Sequence, residues 1–121
     1  LEIDKISAET HLDTRIQMGL KLFKHLPYKW QPVLYDEWYL EIHNHIYNKL
    51  LKLGLWVANY LFTKDEGDKA IQHLSHCLQL FEDEEHIYQI IIDYYKNRDD
   101  QKNTQYWIGK LNNKRRKNEL L

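Results

Sequence analysis

The stretch GLWVANYLFTKDEGDKAIQHLSHCLQLF, residues 54–81, decides the fold class. Apolar residues recur every three to four positions on both sides of its polar segment TKDEGD, residues 63–68, as one buried helix face requires. The polar segment combines a glycine with four charged residues, a composition that favours a turn. The sequence therefore predicts a helix–turn–helix hairpin. The residues expected on the buried side of its second helix are Ala70, Ile71, Leu74, Cys77, Leu78 and Phe81.

The same periodicity extends in both directions along the chain. Upstream, the spacing predicts a long helix that begins near residues 34–37 and ends at about Phe62, in which Gly54 marks either a bend or a close approach of another helix. A first helix is expected to be capped by Ser7 and to stop before Pro27. Downstream, a fourth helix opens at the acidic run 82–85 and a fifth carries the apolar residues of 104–111. About five helices and no convincing strand predict an all-α fold.

Composition limits the classes of protein that this chain can represent. The length of 121 residues fits one domain, 1–121, and 43% apolar with 13% aromatic residues argue against disorder. One cysteine excludes a disulfide framework, and no apolar run has the roughly 18 residues that a membrane span needs. A net charge of −1 disfavours free-standing nucleic-acid binding. We expect a cytoplasmic protein without membrane contact. Because the sequence begins at Leu1 rather than Met, we expect it to be part of a larger protein.

A comparison of residue i with residue i+34 indicates an internal repeat. It pairs apolar residues with apolar or aromatic ones: Val57 with Ile91, Leu61 with Tyr95, Leu74 with Ile108, and Cys77 with Leu111. Thirty-four residues is the period of the tetratricopeptide (TPR) helical hairpin. Ala58 and Ala70 occupy the small positions of that repeat, whereas Gly54 departs from its consensus tryptophan. The period predicts TPR-like stacked hairpins.

The N-terminal half adds a resemblance. A helix ending in Leu22, Phe23 and Lys24 is followed by the proline-containing loop 25–33, and an acidic-tryptophan sequence, LYDEW at 34–38, then opens the long helix. In order and spacing, this arrangement and the hairpins 54–81 and 85–111 resemble the bacterial transcriptional activator domain. That family is the TPR-like C-terminal domain of winged-helix or two-component response-regulator-type transcription regulators.

The resemblance implies a regulatory protein-interaction module of a transcription regulator. Its implied partners are the other domains of the regulator, a second copy of the chain, or the transcription machinery. DNA would be reached only through a neighbouring DNA-binding domain that is absent from this sequence. The alternative is a TPR receptor domain that binds a short peptide or a small effector.

The abundance of aromatic residues predicts the interaction surface. Four Trp and nine Tyr exceed what the core of so small a domain needs, and Trp and Tyr are favoured anchors at protein interfaces. The other interpretation is that these rings fill large gaps between helices. The candidate surface residues are Trp30, Trp56, Asn59, Tyr60, Tyr88 and Trp107. Trp38 is instead expected to be buried, because it shares a helical stripe with Ile42 and Ile46.

Two clusters raise the question of chemistry. His73, His76 and Cys77 are spaced as zinc ligands on one helix would be, which makes a metal-dependent enzyme a third hypothesis. Cys77, however, belongs to the apolar stripe and a fourth ligand is not evident. Glu41 and His45 form an ordinary helix pair, and no catalytic motif accompanies them. The sequence therefore predicts no enzyme, no metal and no cofactor.

The basic run 110–117 (KLNNKRRK) is the one candidate for nucleic-acid contact. It carries five cations and no acid, as a phosphate-binding segment would. No aromatic residue is interleaved with these cations, and a helix C-terminus favours cations in any case. We interpret the run as a solvated helix end, with contact to DNA beside a neighbouring winged helix as the alternative.

Overall fold

The computed structural model describes residues 2–25 and 37–120, and of Glu2, residues 37–43 and Leu120 it describes the backbone alone. Within these ranges it contains six α-helices and no strand, so the all-α prediction is confirmed. The helices are α1 (Glu2–Ala8), α2 (Leu12–His25), α3 (Glu37–Thr63), α4 (Gly67–Leu80), α5 (Glu85–Asn97) and α6 (Gln101–Leu120).

Trp30 and the side chain of Trp38 lie outside the described residues, so both predictions about them remain untested. Among the described residues, no helix combines the length and the apolar character needed to cross a bilayer.

Backbone contacts divide the chain into two compact units, Leu1–Leu80 and Phe81–Leu121, called here the N-terminal and C-terminal units. The N-terminal unit contains α1 to α4, and the C-terminal unit contains the hairpin of α5 and α6. That 1–121 form a single domain stays a prediction.

The sixth helix is α1, which the periodicity did not predict. Ile3 and Ile6 are 5% and 1% exposed, and this buried pair lies on one side of a helix of only 7 residues. Ser7 is therefore part of α1, and the prediction that it caps α2 is wrong. The chain leaves α1 through Glu9, and α2 begins after His11, whose carbonyl oxygen accepts the N–H of Arg15 at 2.9 Å. The buried side of α2 consists of Ile16, Gly19, Leu22 and Phe23, whereas Leu12 is exposed.

Two glycines let the helices of the N-terminal unit approach closely. A Cβ atom built on Gly19 of α2 would lie 2.8 Å from Cγ2 of Val57 in α3. A Cβ on Gly54 of α3 would lie 3.1 Å from Sγ of Cys77 in α4 and 3.2 Å from Cζ of Phe23 in α2. Gly54 thus marks a close approach of neighbouring helices, one of the two roles predicted for it. The predicted buried face of α4 is confirmed, and it extends from Ala70 to Phe81 just beyond the helix.

The C-terminal unit places the acidic run of the sequence against the basic one. Lys114 lies 3.5 Å from carboxylate oxygens of both Glu82 and Asp83, and the guanidinium of Arg115 donates two hydrogen bonds to Glu85 at 3.0 and 3.1 Å. These contacts bring the first turn of α5 beside the later turns of α6. Helix α6 extends to Leu120, so residues 112–120 are helical.

The turns of the two hairpins repeat at an interval of 34 residues. In the first, Glu66 N–H donates to the Leu61 carbonyl at 2.9 Å; in the second, Asp100 N–H donates to the Tyr95 carbonyl at 3.0 Å. Asp65 and Asp99, also 34 apart, have positive φ angles of 57° and 56°. Each turn is therefore a Schellman motif with an aspartate in the left-handed position that glycine usually takes.

The repeat includes further contacts on both sides of the turns. Ala70 N–H donates to the Glu66 carbonyl and Thr104 N–H to the Asp100 carbonyl, each at 3.0 Å. A cation also lies over a tyrosine four residues earlier in each hairpin. Lys64 is 5.6 Å from the ring centre of Tyr60, and the guanidinium of Arg98 is 5.0 Å from that of Tyr94. The period read from the sequence is thus present in backbone hydrogen bonds as well as in residue types.

Candidate functional site

Three of the predicted surface residues come together on α3. Trp56, Asn59 and Tyr60 lie three and four positions apart, so they share one face of the helix. Asn59 is exposed and the two aromatic rings, 6.0 Å apart, are half-buried. The guanidinium carbon of Arg15 lies 3.9 Å from the centre of the Trp56 ring. We call Arg15, Trp56, Asn59 and Tyr60 the aromatic patch.

Arg15 reaches the patch from α2, 41 positions earlier in the sequence. Its Nε is buried and has no hydrogen-bond partner among the described residues, and its guanidinium stacks on the ring of Trp56. Planar guanidinium groups stack on aromatic faces in this way. The patch therefore presents an arginine, a tryptophan and a tyrosine together in a partly exposed arrangement.

A basic cavity of about 410 Å³ lies between α2 and α4. Its lining consists of Gln17, Leu20, Lys21, Lys24 and His25 from α2, with Lys69, Gln72, His73 and His76 from α4. No carboxylate is among these lining residues. Sequence reasoning missed Lys21 and Lys24 as site residues. The available signal was two lysines three positions apart, near the end of a helix whose acidic residue, Asp13, lies in its first turn.

A second cavity, of about 380 Å³, adjoins the basic cavity. It shares Gln17, Leu20 and Lys69 with the first and reaches Tyr60 of the aromatic patch. Its lining also includes Asp13 and Glu66, so its charge is mixed. Together, the patch and the two cavities occupy neighbouring parts of the N-terminal unit.

His73 lies at the buried edge of the basic cavity. It is 1% exposed, and its Nε2 lies 2.9 Å from the carbonyl oxygen of Gly54. Because a carbonyl can only accept, Nε2 carries the proton. Burial lowers the pKa of His73 to about 4, so the ring is neutral near pH 7. Its other nitrogen, Nδ1, is buried and has no partner among the described residues.

The three residues of the predicted metal cluster have different environments. Sγ of Cys77 lies 3.5 Å from Nε2 of His73, and burial raises the pKa of the thiol to about 12. Metal ions bind the thiolate, which this environment disfavours. His76 is half-buried beside the basic cavity. In the described part of the chain, no group of three His, Cys, Asp or Glu side chains is arranged to hold a metal ion.

Two of the predicted surface residues lie in the interior. Tyr88 and Trp107 are each 8% exposed, and their rings pack edge to face at 6.3 Å in the C-terminal unit. Their positions correspond to the other interpretation of the aromatic residues, as fillers of large gaps between helices. The exposed ring on α6 is instead Tyr106, which is 56% exposed and 5.6 Å from Trp107.

The basic run 110–117 is partly neutralised within the C-terminal unit. Lys114 and Arg115 pair with the acidic run, and Lys110 lies over the rings of Tyr106 and Trp107 at 5.3 and 4.8 Å. Burial of Lys114 lowers its pKa, but the carboxylates of Glu82 and Asp83 outweigh this and raise the pKa overall. Two of the five cations of the run thus have carboxylate partners, which neither interpretation of the sequence included.

No family model matches this chain, and neither does any curated protein or solved structure.

Proposed function

We propose that this chain is the regulatory protein-interaction domain of a bacterial transcription regulator, a cytoplasmic protein whose DNA-binding domain precedes it. One observation carries the proposal: two helix–turn–helix hairpins whose turns repeat at 34 residues. A hairpin of this period cannot bury its apolar face alone, and arrays of such hairpins form extended surfaces that bind other proteins. The resemblance of residues 20–62 to the bacterial transcriptional activator domain supplies the transcriptional context.

The aromatic patch is the surface that we assign to partner binding. Trp, Tyr and Arg are the residue types that most often dominate binding energy at protein interfaces. In this patch, stacking fixes the guanidinium of Arg15 over Trp56, so little conformational entropy is lost when a partner covers both. The partner is another domain of the regulator, a second copy of the chain, or the transcription machinery.

The test uses the full-length protein. The reading frame that contains residues 1–121 should encode a winged-helix segment upstream of Leu1. In that protein, Trp56→Ala should reduce activation of a reporter promoter, while binding of the protein to promoter DNA stays unchanged. The matched control is Tyr106→Ala, which removes an exposed aromatic ring outside the patch. Absence of a DNA-binding segment, or equal loss of activation in both variants, would contradict the proposal.

The alternative function is a receptor for a small effector, and the basic cavity is the observation that favours it. Its volume of about 410 Å³ lies in the usual range for small-molecule sites, roughly 300–1,000 Å³. The basic cavity has none of the residues of the aromatic patch in its lining, so the N-terminal unit has room for both a small ligand and a protein partner.

A further inference from the structure

The basic cavity concentrates positive charge without a matching carboxylate in its lining. Lys21, Lys24 and Lys69 border it together with His25 and His76. Among the described residues, no carboxylate pairs with Lys21 or Lys24, and Lys69 has only the exposed Glu66 at 3.8 Å. Like charges gathered in this way repel one another, and a bound anion relieves that repulsion.

His76 responds to the positive charge of Lys24. Its pKa is lowered first by burial and then by the positive charge of Lys24, which belongs to the facing helix. Lys24 and His76 therefore approach the cavity from α2 and α4, respectively. An anion placed between the helices would interact with groups on both.

His73 adds a requirement for a hydrogen-bond donor. Its Nε2–H is committed to the Gly54 carbonyl, so Nδ1 of the neutral ring offers a lone pair. A buried acceptor without a partner is unfavourable. His73 lines the cavity, but its Nδ1 is shielded from solvent in this structure, so a ligand that binds this nitrogen requires neighbouring side chains to move. The cavity thus combines cations with a buried acceptor.

We infer that the basic cavity binds hydrogen phosphate, free or at the end of a small metabolite: Lys21 and Lys24 neutralise its charge, and its P–O–H group donates a hydrogen bond to Nδ1 of His73. This inference deepens the receptor alternative and does not depend on the transcriptional role. Sulfate is the discriminating comparison, because at neutral pH it has similar size and charge but no O–H group.

The experiment is an NMR titration of the 121-residue chain at pH 7, at constant ionic strength, with inorganic phosphate and with sulfate. Phosphate should produce saturable shifts in residues 17–25 and 69–76 and in the ¹⁵N resonance of His73 Nδ1. It should bind about tenfold more tightly than sulfate, the factor that corresponds to one hydrogen bond. A parallel titration with glycerol phosphate distinguishes the two sources: tighter binding than inorganic phosphate indicates a metabolite, and weaker binding indicates the free ion.

Variants distinguish specific binding in the basic cavity from a general attraction of anions to lysine side chains. Lys24→Gln and Lys21→Gln should each weaken phosphate binding several-fold. Lys52→Gln is the matched control, because it removes the same charge from an exposed position of α3 that lines neither cavity. The inference is overturned if no saturable shifts occur, if sulfate binds as tightly as phosphate, or if Lys52→Gln weakens binding as much as Lys24→Gln. None of these outcomes affects the Trp56→Ala reporter test, so the two proposals fail separately.

Discussion

His73 links three helices of the N-terminal unit through one side chain. From α4, its ring packs edge-on against Phe23 of α2 with centres 5.3 Å apart, and its Nε2–H donates to Gly54 of α3. The ring stays neutral because burial disfavours the imidazolium, and the nearby charge of His76 adds to this effect. A residue that must remain uncharged to stay buried makes the stability of this unit depend on pH.

The first prediction concerns that pH dependence. The pKa of His73 is about 4 in the folded chain and near 6.5 when the side chain is free, so between these values the unfolded state binds more protons. The free energy of unfolding should therefore fall as pH is lowered from 6.5 to 4, by about 3 kcal/mol in total. Urea unfolding across this range measures it. The variant His73→Gln should make the free energy of unfolding less dependent on pH, whereas His11→Gln, an exposed control, should leave the dependence unchanged. If His73→Gln retains the full pH dependence, His73 is not its cause.

A second prediction at the residue scale compares two glycines. Gly19→Ala places a methyl group 2.8 Å from Cγ2 of buried Val57, and such overpacking costs about 1–3 kcal/mol. Gly109 on α6 has open space at the same position, so Gly109→Ala should gain up to about 1 kcal/mol of helix propensity. Thermal melting should show a lower Tm for the first variant and a higher Tm for the second. A rise in both would mean that α2 and α3 do not pack as described.

At the scale of elements, the Schellman turns have one unusual feature, the aspartates at positive φ. An L-residue with a Cβ atom is disfavoured in this conformation, whereas glycine adopts it freely. Asp65→Gly and Asp99→Gly should therefore each raise the free energy of unfolding by about 0.5–1 kcal/mol. Asp68→Gly is the control, because Asp68 lies in the first helical turn of α4 and glycine should lower stability there. Chemical denaturation of the three variants measures the effects; equal losses in all three would contradict the turn assignment.

The elements with a strong local signal were the ones that the sequence predicted correctly. The polar segment at 63–68 marks the first turn, and the apolar spacing of residues 70–81 gives the buried face of α4. Helix α1 was missed because a single buried pair, Ile3 and Ile6, is too short a pattern to show a period. Periodicity describes one helix at a time, so it predicts which face is buried but not which helix covers that face.

The candidate site depends mostly on contacts between distant positions. Arg15 stacks on Trp56 across 41 positions, and Arg115 pairs with Glu85 across 30. The basic cavity likewise combines residues from α2 and α4 that lie about 50 positions apart. Nothing in the local sequence of either partner indicates these pairings. For the same reason, the burial of Tyr88 could not be inferred from aromatic content alone.

At the scale of the whole molecule, positive and negative charges nearly balance, and some of the basic side chains form ion pairs with carboxylates of the same chain. The net charge is −1, and Lys114 and Arg115 of the basic run have carboxylate partners. Release of counterions from DNA drives non-specific binding in proportion to the phosphates that free cations neutralise. A chain with this balance has little of that driving force.

The fourth prediction follows from this balance. The 121-residue chain alone should give no sequence-specific footprint on DNA at physiological salt, whereas the full-length protein, with the DNA-binding domain that we propose, should give one. Gel-shift and footprinting assays on both proteins measure the difference. A specific footprint from the chain alone, lost when the charges of Lys114, Arg115 and Arg116 are reversed, would instead assign DNA binding to α6.

The burial of Cys77 against Gly54 has a consequence for kinetics. The chain has one cysteine, its thiol is 1% exposed, and burial keeps it protonated. An alkylating reagent can therefore react only with molecules in which α3 and α4 have separated, and the observed rate is the opening equilibrium constant multiplied by the rate for a free thiol. Alkylation measured over time in native buffer thus gives the free energy of opening of the N-terminal unit directly, without denaturant. The same measurement, repeated with phosphate present, shows whether a ligand between α2 and α4 slows that opening.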